Sequence, residues 1–207
     1  TFVDLVSYSV GCIMGRYSLD REGLVYAHAG NQGFAELAAD GAYKSFPADD
    51  DGILPLTDQE WFSDDATNRF REFVRTVWAG PEGATEQEQS QRLQENLNFV
   101  AASLCLHAIK PKSGESALDT IRRYLSTQFY KDHLKTYKKR PIYWLFSSGK
   151  HKAFECLVYL HRYNEGTLAR MRTEYVIPLS AKLSSYAAKL EKDIEASNST
   201  AEKKALE

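Results

Sequence analysis

The sequence predicts an α+β fold that is mainly α-helical, with a small antiparallel β-sheet or hairpin and a C-terminal amphipathic helix. Three observations support this prediction. Apolar residues recur at helical spacing through most of residues 63–140. Residues 142–160 instead contain two apolar runs separated by the turn sequence SSGK. Beyond Pro178, apolar residues recur at spacings typical of a coiled-coil helix.

The first segment, residues 1–62, is predicted to hold one helix and then loops. Residues 3–17 suit a mostly buried helix. Glycine and proline punctuate residues 18–60, where short strands are predicted at GLVYA and GILPL. The run DDDG at 49–52 lacks the alternating ligand spacing of an EF-hand, so we interpret it as a solvated turn and not as a calcium site.

The second segment, residues 63–178, is predicted to be a helical core that carries the hairpin. Ser63 is the predicted N-cap of its first helix, because the two aspartates that follow favour the positive end of the helix dipole. The expected helices have apolar stripes at 70–78 and 93–104, a start at Ser116, and an end at Pro141.

The C-terminal segment is predicted to be one interrupted helix. It begins at Thr167, and Pro178 is expected to kink or break it because proline cannot donate a backbone hydrogen bond. Residues 179–207 form the third predicted segment, an amphipathic helix followed by a disordered tail. We expect all three segments to form one compact module of a longer protein, since the sequence also lacks an initiator methionine.

Alternation along the first hairpin strand divides its side chains between two faces. Tyr143, Leu145 and Ser147 share one face, and Ile142, Trp144 and Phe146 share the other. Because the second set is more apolar, Trp144 and Phe146 are predicted to lie in the core.

Composition is ordinary for a globular chain, but the charge is unevenly distributed. Residues 1–105 have a formal balance of −10 and residues 106–175 one of +8, although the whole chain carries only −2. A local basic face of this kind is a hint of a polyanionic partner. No apolar stretch approaches the roughly 18 residues of a membrane helix. The three cysteines lie in apolar contexts, which predicts buried free thiols and a cytoplasmic location.

Sequence motifs of catalysis and metal binding are absent. There is no G-x-S-x-G, H-E-x-x-H, Walker or G-x-G-x-x-G motif. Cys105 and His107 form the one close Cys/His pair, and no second pair at zinc spacing accompanies them. We therefore predict no catalytic residue, no cofactor-binding residue and no metal ligand in this chain.

Basic residues around the hairpin are the most informative feature. Clustered cations can neutralise phosphates, and aromatic groups among them can stack on bases. The alternative is that these charges form only a solvated surface. The candidate DNA-binding residues are Lys138, Lys139, Arg140, Lys150, His151, Lys152, Arg162, Arg170 and Arg172.

Long stretches of the chain resemble the PglX family of adenine-specific DNA methyltransferases from BREX phage-defence systems, which is related to the type IIL restriction–modification enzymes. The most specific is YKKRPIYWLFSSGKHKAFECLVYLHRYNEGTLARMRTEYV at 137–176, which is similar to the C-terminal part of that family. VSYSVGCIMGRYSLDREGLVYA at 6–27, DDDGILPLTDQEWFSDD at 49–65 and ESALDTIRRYLSTQFYKDHLKTYKKRP at 115–141 match in the same order.

This resemblance implies a longer enzyme that transfers a methyl group from S-adenosylmethionine to N6 of adenine in double-stranded DNA. The family holds its target adenine with an N-P-P-Y motif, which is absent here, as is a glycine-rich cofactor loop. The resemblance therefore assigns the chain to the target-recognition half, without catalytic residues or bound cofactor. Other BREX proteins or phage inhibitors are further candidate partners.

Two functions remain open from the sequence. The first is a non-catalytic module that contacts and positions DNA. The second is a structural or protein-interaction domain, in which the acidic first half and the C-terminal helix dock other domains and DNA makes no contact. Binding that falls steeply with salt is expected of the first and not of the second.

Overall fold

The computed structural model describes residues 2–27, 32–78 and 80–197. The chain divides into two compact units, of which the first ends at Asn164 and the second begins at Glu165. The segment limits predicted at 62 and 178 stay predictions. The predicted disordered tail falls on 198–207, outside the described residues. No helix in the part that is described is long and apolar enough to cross a bilayer.

Helices and a small sheet make up the first unit, as the sequence predicts. In chain order its elements are α1 (Phe2–Ile13), α2 (Phe34–Ala39), β1 (Ile53–Pro55), α3 (Ala66–Val77), α4 (Glu86–His107), α5 (Ala117–Thr127), α6 (Phe129–Thr136), β2 (Tyr143–Ser147) and β3 (Glu155–Tyr159), followed by a 3-10 turn at Leu160–Arg162. The predicted α+β class, with mainly helical content, is confirmed.

The sheet has three antiparallel strands in the order β1-β3-β2. The predicted hairpin is confirmed, and its register pairs Tyr143 with Tyr159 and Ser147 with Glu155. β3 is central and every one of its residues is buried, whereas β2 is an edge strand. β1 corresponds to the predicted strand at GILPL. The stretch GLVYA forms no strand, because Gly23 turns the chain with a left-handed φ of 73°.

One apolar core joins the helices to the inner face of the sheet. α1 packs on α3 and α4, and α5 packs on α3, α4 and α6. Gly11 allows the chain after α1 to fold back, since a Cβ there would lie 2.3 Å from the Tyr17 ring. The predicted helix over 3–17 is too long: it ends at Ile13, and Gly15 follows with a φ of 78°.

A buried aspartate, and not Ser63, caps α3. The Asp65 carboxylate accepts a hydrogen bond from the Asn68 amide at 2.8 Å. The predicted cap was therefore two residues early. Both residue types are good N-caps, and the ion pair that Asp65 makes with Arg122 explains the choice of Asp65.

The second unit is helical throughout its described core. It contains α7 (Thr167–Arg170), a π-helical segment at Met171–Val176, and α8 (Ile177–Ala196). Pro178 was predicted to kink or break the helix. The helix instead continues through it, and the interruption is the π-helical segment that directly precedes α8. A π segment is a common local adjustment where a proline lacks the amide for an ordinary helical hydrogen bond.

Candidate nucleic-acid interface

One group of cations lies in the connection from α6 to β2. We call it the proximal cluster, and it consists of Lys138, Lys139 and Arg140, which are all exposed. Lys138 and Lys139 have left-handed backbones, with φ of 50° and 64°. The Lys139 amide donates to the Leu134 carbonyl at 2.8 Å, and the Lys138 amide donates to the Lys135 carbonyl at 3.2 Å. These two bonds form a Schellman motif, which commonly ends helices.

The same motif ends α1 and α2, but with glycine at the position of Lys138. Gly15 and Gly41 have φ of 78° and 73° there, with equivalent backbone hydrogen bonds. Glycine adopts this conformation freely, whereas a residue with a Cβ is strained by about 1–2 kcal/mol. α6 therefore keeps lysine where the two other helices use glycine.

A second basic group lies in the connection between β2 and β3. We call it the loop cluster, and it consists of Lys150, His151 and Lys152. All three are exposed. Lys152 has a left-handed φ of 50°, and its Nζ lies 3.4 Å from the Glu155 Oε2 atom. The Glu155 side chain is buried, whereas that of Lys152 is 59% exposed, so the lysine charge stays accessible to solvent.

Backbone strain in the described residues is concentrated in these two clusters. Apart from glycines, positive φ occurs there at Lys138, Lys139 and Lys152 alone. Strained backbone that persists at particular side chains is grounds for a functional hypothesis about those side chains. In this case the strained residues are all cations.

The two clusters lie at opposite ends of β2. The strand has five residues, and the four steps between its first and last Cα atoms span roughly 13 Å at about 3.3 Å per residue. The major groove of B-DNA is about 12 Å wide. The spacing is therefore of the size needed to reach phosphates on both sides of one groove.

The prediction that Trp144 and Phe146 lie in the core is wrong. Tyr143 on the opposite face is 2% exposed and belongs to the main core, whereas Trp144 is 44% exposed and Phe146 is half-buried. Because β2 is an edge strand, its outer face is incompletely covered. Trp144 instead packs beside Tyr163, with 5.8 Å between ring centroids, and forms an exposed aromatic pair between the clusters.

Arg162 does not join the exposed clusters. It is buried, its guanidinium donates to the Asp49 carbonyl at 2.6 Å and to the Asp50 carbonyl at 2.7 Å, and it stacks on Phe34 at 3.6 Å. Its charge is thus used inside the first unit, and we leave it out of the interface proposed below.

Arg170 and Arg172 belong to the second unit. Both are exposed, and Arg170 pairs with Glu174 one turn along the helix at 3.3 Å. Their role in DNA binding stays a prediction.

Comparison with known proteins shows what this chain is similar to. No protein-family model matches. Over 182 residues, 88% of this chain and 14% of the relative, it is 74% identical to the adenine-specific methyltransferase BrxX of Escherichia coli O9:H4 (strain HS). It is 42% identical over 177 residues, 84% of this chain and 13% of the relative, to the adenine-specific methyltransferase PglX of Lacticaseibacillus casei (strain Zhang). The chain is homologous to a segment of the PglX/BrxX methyltransferases.

The resemblance seen in the sequence is thereby confirmed. The chain spans about one seventh of the length of these curated relatives, since the matches cover 14% and 13% of them. The matches extend over 88% and 84% of this chain and therefore include the exposed basic hairpin in its interior.

Two of the three cysteines, Cys12 and Cys156, are buried. Burial raises the pKa of the Cys12 thiol to about 11 and raises that of Cys156 further above its usual range, so both are protonated at neutral pH. The described residues contain no group of three His, Cys, Asp or Glu side chains placed to hold a metal ion.

Sequence reasoning missed a buried ion pair. The Arg122 Nη1 atom lies 2.6 Å from the Asp65 Oδ2 atom and also donates to the Gln59 carbonyl at 3.1 Å. Burial raises the pKa of the Asp65 carboxyl, and the Arg122 charge opposes that rise. No local pattern connects two residues this far apart in the chain.

Asp49 and Gly52 are also buried, so the prediction of a solvated turn at 49–52 is wrong at both of its ends. The Asp49 carboxylate accepts from the Gly52 amide at 2.7 Å and the Asp51 amide at 3.2 Å. Burial, with the nearby Asp51 carboxylate, raises the Asp49 pKa to about 7. Folding therefore favours the protonated form of Asp49.

This raised pKa predicts a specific pH dependence of stability. The folded state binds more protons than the unfolded state between about pH 4 and pH 7, so the contribution of Asp49 to stability falls as pH rises through that window. Asp49→Asn removes this effect and keeps an acceptor for the Gly52 amide. Between pH 5 and pH 7, we expect the unfolding free energy of the variant to gain about 2 kcal/mol relative to wild type.

Urea unfolding of both proteins at half-unit pH intervals measures this gain. His133 has a pKa lowered to about 4 by burial and the Arg16 charge, which gives the opposite slope between about pH 4 and pH 6.5. That slope is common to both proteins and cancels in the difference. A difference that does not change with pH would contradict the prediction.

Proposed function

We propose that this chain is a non-catalytic module of an adenine-specific DNA methyltransferase acting in BREX phage defence, and that it contacts the DNA backbone and positions the duplex. The observation on which the proposal rests is the strained lysines: Lys138, Lys139 and Lys152 hold left-handed backbones at exposed cationic positions. The names of the two relatives support the methyltransferase context.

Electrostatics explain how such a surface would work. Each lysine or arginine that neutralises a phosphate releases condensed counterions, and this gain does not depend on base sequence. Rigid turns fix where the cations project, so little further ordering is needed on binding. The module would thus supply binding affinity that does not depend on base sequence and would orient the duplex, while the base sequence is recognised elsewhere in the enzyme.

The exposed aromatic pair lies where it would meet the same duplex. Trp144 and Tyr163 are 44% and 38% exposed, and Trp144 is on the strand that joins the two clusters. Aromatic rings beside phosphate-binding cations can pack on sugars or on an unstacked base. We propose that this pair contacts DNA between the two phosphate sites.

Methyl transfer itself would belong to the rest of the enzyme. The chain has no N-P-P-Y motif or glycine-rich cofactor loop, so S-adenosylmethionine would be bound outside it. A base that is methylated must leave the helix stack, and an enzyme that extrudes a base needs firm backbone contacts on the flanking duplex.

A second function is favoured by a separate surface. Phe99 and Leu106 on α4 are 66% and 77% exposed and lie seven residues apart, which places them on one side of the helix. Such a patch suits a protein partner, either another domain of the methyltransferase or another defence protein. This function does not require DNA contact and predicts binding that is insensitive to salt.

Removing the proximal charges is expected to weaken DNA binding regardless of sequence. The variant Lys138→Gly, Lys139→Gly, Arg140→Gln suits the left-handed turn and so spares the fold. If all three side chains contact phosphates, affinity should fall on the order of 100-fold at 0.1 M salt. Fluorescence anisotropy of the 207-residue chain with three duplexes of unrelated sequence measures the fall.

A charge-matched control separates local contact from net charge. Lys44, Arg71 and Arg75 are exposed cations in the acidic first half of the chain, and their triple glutamine variant changes the net charge equally. It should bind all three duplexes almost as wild type does. Equal weakening by both variants, or a loss confined to one duplex, would count against the proposed backbone contact.

A further inference from the structure

A cavity lined by aromatic rings lies in the first unit and has no part in the proposed DNA contact. It measures about 210 Å³, and five tyrosines contribute to its wall: Tyr8, Tyr17, Tyr124, Tyr137 and Tyr143. Tyr8 is 38% exposed, so the cavity is reached from solvent. An apolar cavity of about 150 Å³ admits benzene, and the volume here therefore accommodates a small organic group.

The rings of the wall pack against one another. The Tyr8 and Tyr17 ring centroids are 5.3 Å apart. The His133 ring, which also lines the cavity, is 4.6 Å from Tyr137 and 4.8 Å from Tyr143. The face of an aromatic ring carries negative electrostatic potential, so it attracts an organic cation placed within about 6 Å of its centroid.

Two carboxylates line the same cavity, and no lysine or arginine of the described chain is part of its wall. The carboxylates belong to Asp4 on α1 and Asp132 on α6. Burial, followed by the charges of Asp132 and Asp4, raises the pKa of the Tyr124 hydroxyl above its usual range, so both carboxylates act on one ring of the wall. The lining is negatively charged and favours a cationic ligand.

Asp132 has capacity for a further hydrogen-bond donor. Its Oδ1 atom accepts from Gln128 Nε2 at 2.9 Å and from Lys135 Nζ at 3.2 Å, whereas its Oδ2 atom accepts from the Tyr124 hydroxyl at 3.3 Å. Because a carboxylate oxygen has two lone pairs, Oδ2 can accept once more. The Lys135 side chain is 74% exposed, and so exposed an ion pair does little to neutralise Asp132.

Arg16 opposes a cationic ligand but does not line the cavity. Its guanidinium lies 5.7 Å from the Tyr17 ring centroid and donates to the Tyr159 hydroxyl at 3.3 Å. His133 adds no positive charge at pH 7, because burial and the Arg16 charge lower its pKa to about 4. The cations of the proximal cluster are exposed, so water and salt screen their charge. The two lining carboxylates therefore dominate the cavity.

We propose that this cavity binds an alkylammonium group, the chemical class of a lysine side chain and of free aliphatic amines. An N–H group of the ligand donates to Oδ2 of Asp132, its positive charge lies against the tyrosine faces, and its methylene chain packs on Val3 and Phe129, which also line the cavity. Aromatic cages are a recurrent means of binding organic ammonium groups.

Two sources supply this chemistry: a free amine and a lysine side chain of a protein partner. The balance of −10 over residues 1–105 favours the approach of a basic protein segment. Neither source requires DNA contact, so this inference and the proposed DNA contact can fail separately.

The first arm of the test titrates the 207-residue chain with n-butylamine and with 1-butanol at pH 7 and low salt. The two probes have the same carbon chain, but only the amine is cationic. NMR of the tyrosine ring protons gives both dissociation constants. We expect the amine to bind with a millimolar or lower dissociation constant and about tenfold or more tightly than butanol. No binding of the amine, or equal affinity for the two probes, would overturn the inference.

Substitutions test whether the amine binds in this cavity. Asp132→Asn and Asp4→Asn each remove a lining charge and should weaken amine binding by about fivefold without changing that of butanol; Asp4 is exposed, so its variant serves even if the Asp132 change unfolds the chain. Asp58→Asn, at an exposed site outside the cavity, should have no effect. Thr136→Phe fills the cavity from an exposed position in its wall and should weaken both probes, whereas Thr76→Phe on α3 should not. Unchanged amine binding in all the cavity variants would refute the site.

The second arm uses lysine with both backbone ends blocked as amides. If blocked lysine binds as tightly as butylamine, the cavity receives a lysine side chain whose backbone stays outside the opening. If it binds roughly tenfold more weakly while butylamine binding is retained, the ligand is a free amine. Affinity for a paired duplex is measured on the same samples, and failure of the amine titrations leaves the proposed DNA contact standing.

Discussion

Arg122→Ala is expected to lower the free energy of unfolding by about 3–5 kcal/mol, the range for breaking a buried ion pair by removing one partner. The Asp65 side chain is fully buried, and Arg122 is its paired cation at 2.6 Å. Arg122 also donates to the Thr57 and Gln59 carbonyls at 3.2 and 3.1 Å. Its loss would leave a buried carboxylate unpaired and detach the chain before α3 from α5. Urea unfolding followed by circular dichroism measures the change.

Two comparisons establish that burial causes this effect. Lys135→Ala removes an exposed partner of Asp132, whose pair has a 3.2 Å separation, and should change stability by less than about 1 kcal/mol. Asp65→Asn added to Arg122→Ala should restore part of the loss, because asparagine is neutral and still caps the helix. Losses of the same size from Arg122→Ala and Lys135→Ala would refute this account of the ion pair.

Tyr143→Ala is expected to destabilise the fold by about 3–5 kcal/mol, as for other buried aromatic residues. Its ring packs at 4.8 Å from His133 and 5.7 Å from Tyr159. Trp144→Ala should cost about 1 kcal/mol or less, because that side chain is exposed. Thermal and urea unfolding of both variants measures the contrast. A larger loss from Trp144→Ala would show that the outer face of β2 is the buried one.

The contrast between these neighbours shows where sequence pattern stops being informative. Alternation correctly separates the two faces of β2, but the more apolar face is not the one in the core. Tyr143 lies in the core, where its ring packs beside those of His133 and Tyr159. Both faces of β3 are buried, so its own pattern could not decide the question either.

Local signals predicted most of the helices. The stripes of α3 and α4 and the Ser116 cap of α5 follow from near neighbours in sequence. The prediction that α6 continues until Pro141 is wrong, because the left-handed turn at Lys138 and Lys139 ends the helix at Thr136. Long-range pairing was not predictable in this way. β1 pairs with β3 about one hundred positions later, with Ile53 opposite Val158. No local sequence pattern in either strand identifies the strand with which it pairs.

The candidate site was also predictable from the sequence only in part. Charge clustering singled out the exposed lysines of the hairpin, and it also selected Arg162, which is buried. Whether a cation is used inside the fold depends on what the fold brings to it, in this case two loop carbonyls and Phe34. The left-handed backbones of Lys138, Lys139 and Lys152 had no sequence signal, because glycine is the residue expected there.

The salt dependence of DNA binding tests directly whether the proximal cluster contacts phosphates. The association constant of the wild-type chain for one duplex would be measured by anisotropy from 50 to 300 mM salt, alongside the proximal-cluster variant and its charge-matched control. Each phosphate contact contributes about 0.9 to the slope of log K against log salt. We expect the proximal variant to lose roughly 2 to 3 from the wild-type slope and the control to lose less than about 1. Equal slopes for wild type and the proximal variant would contradict this expectation.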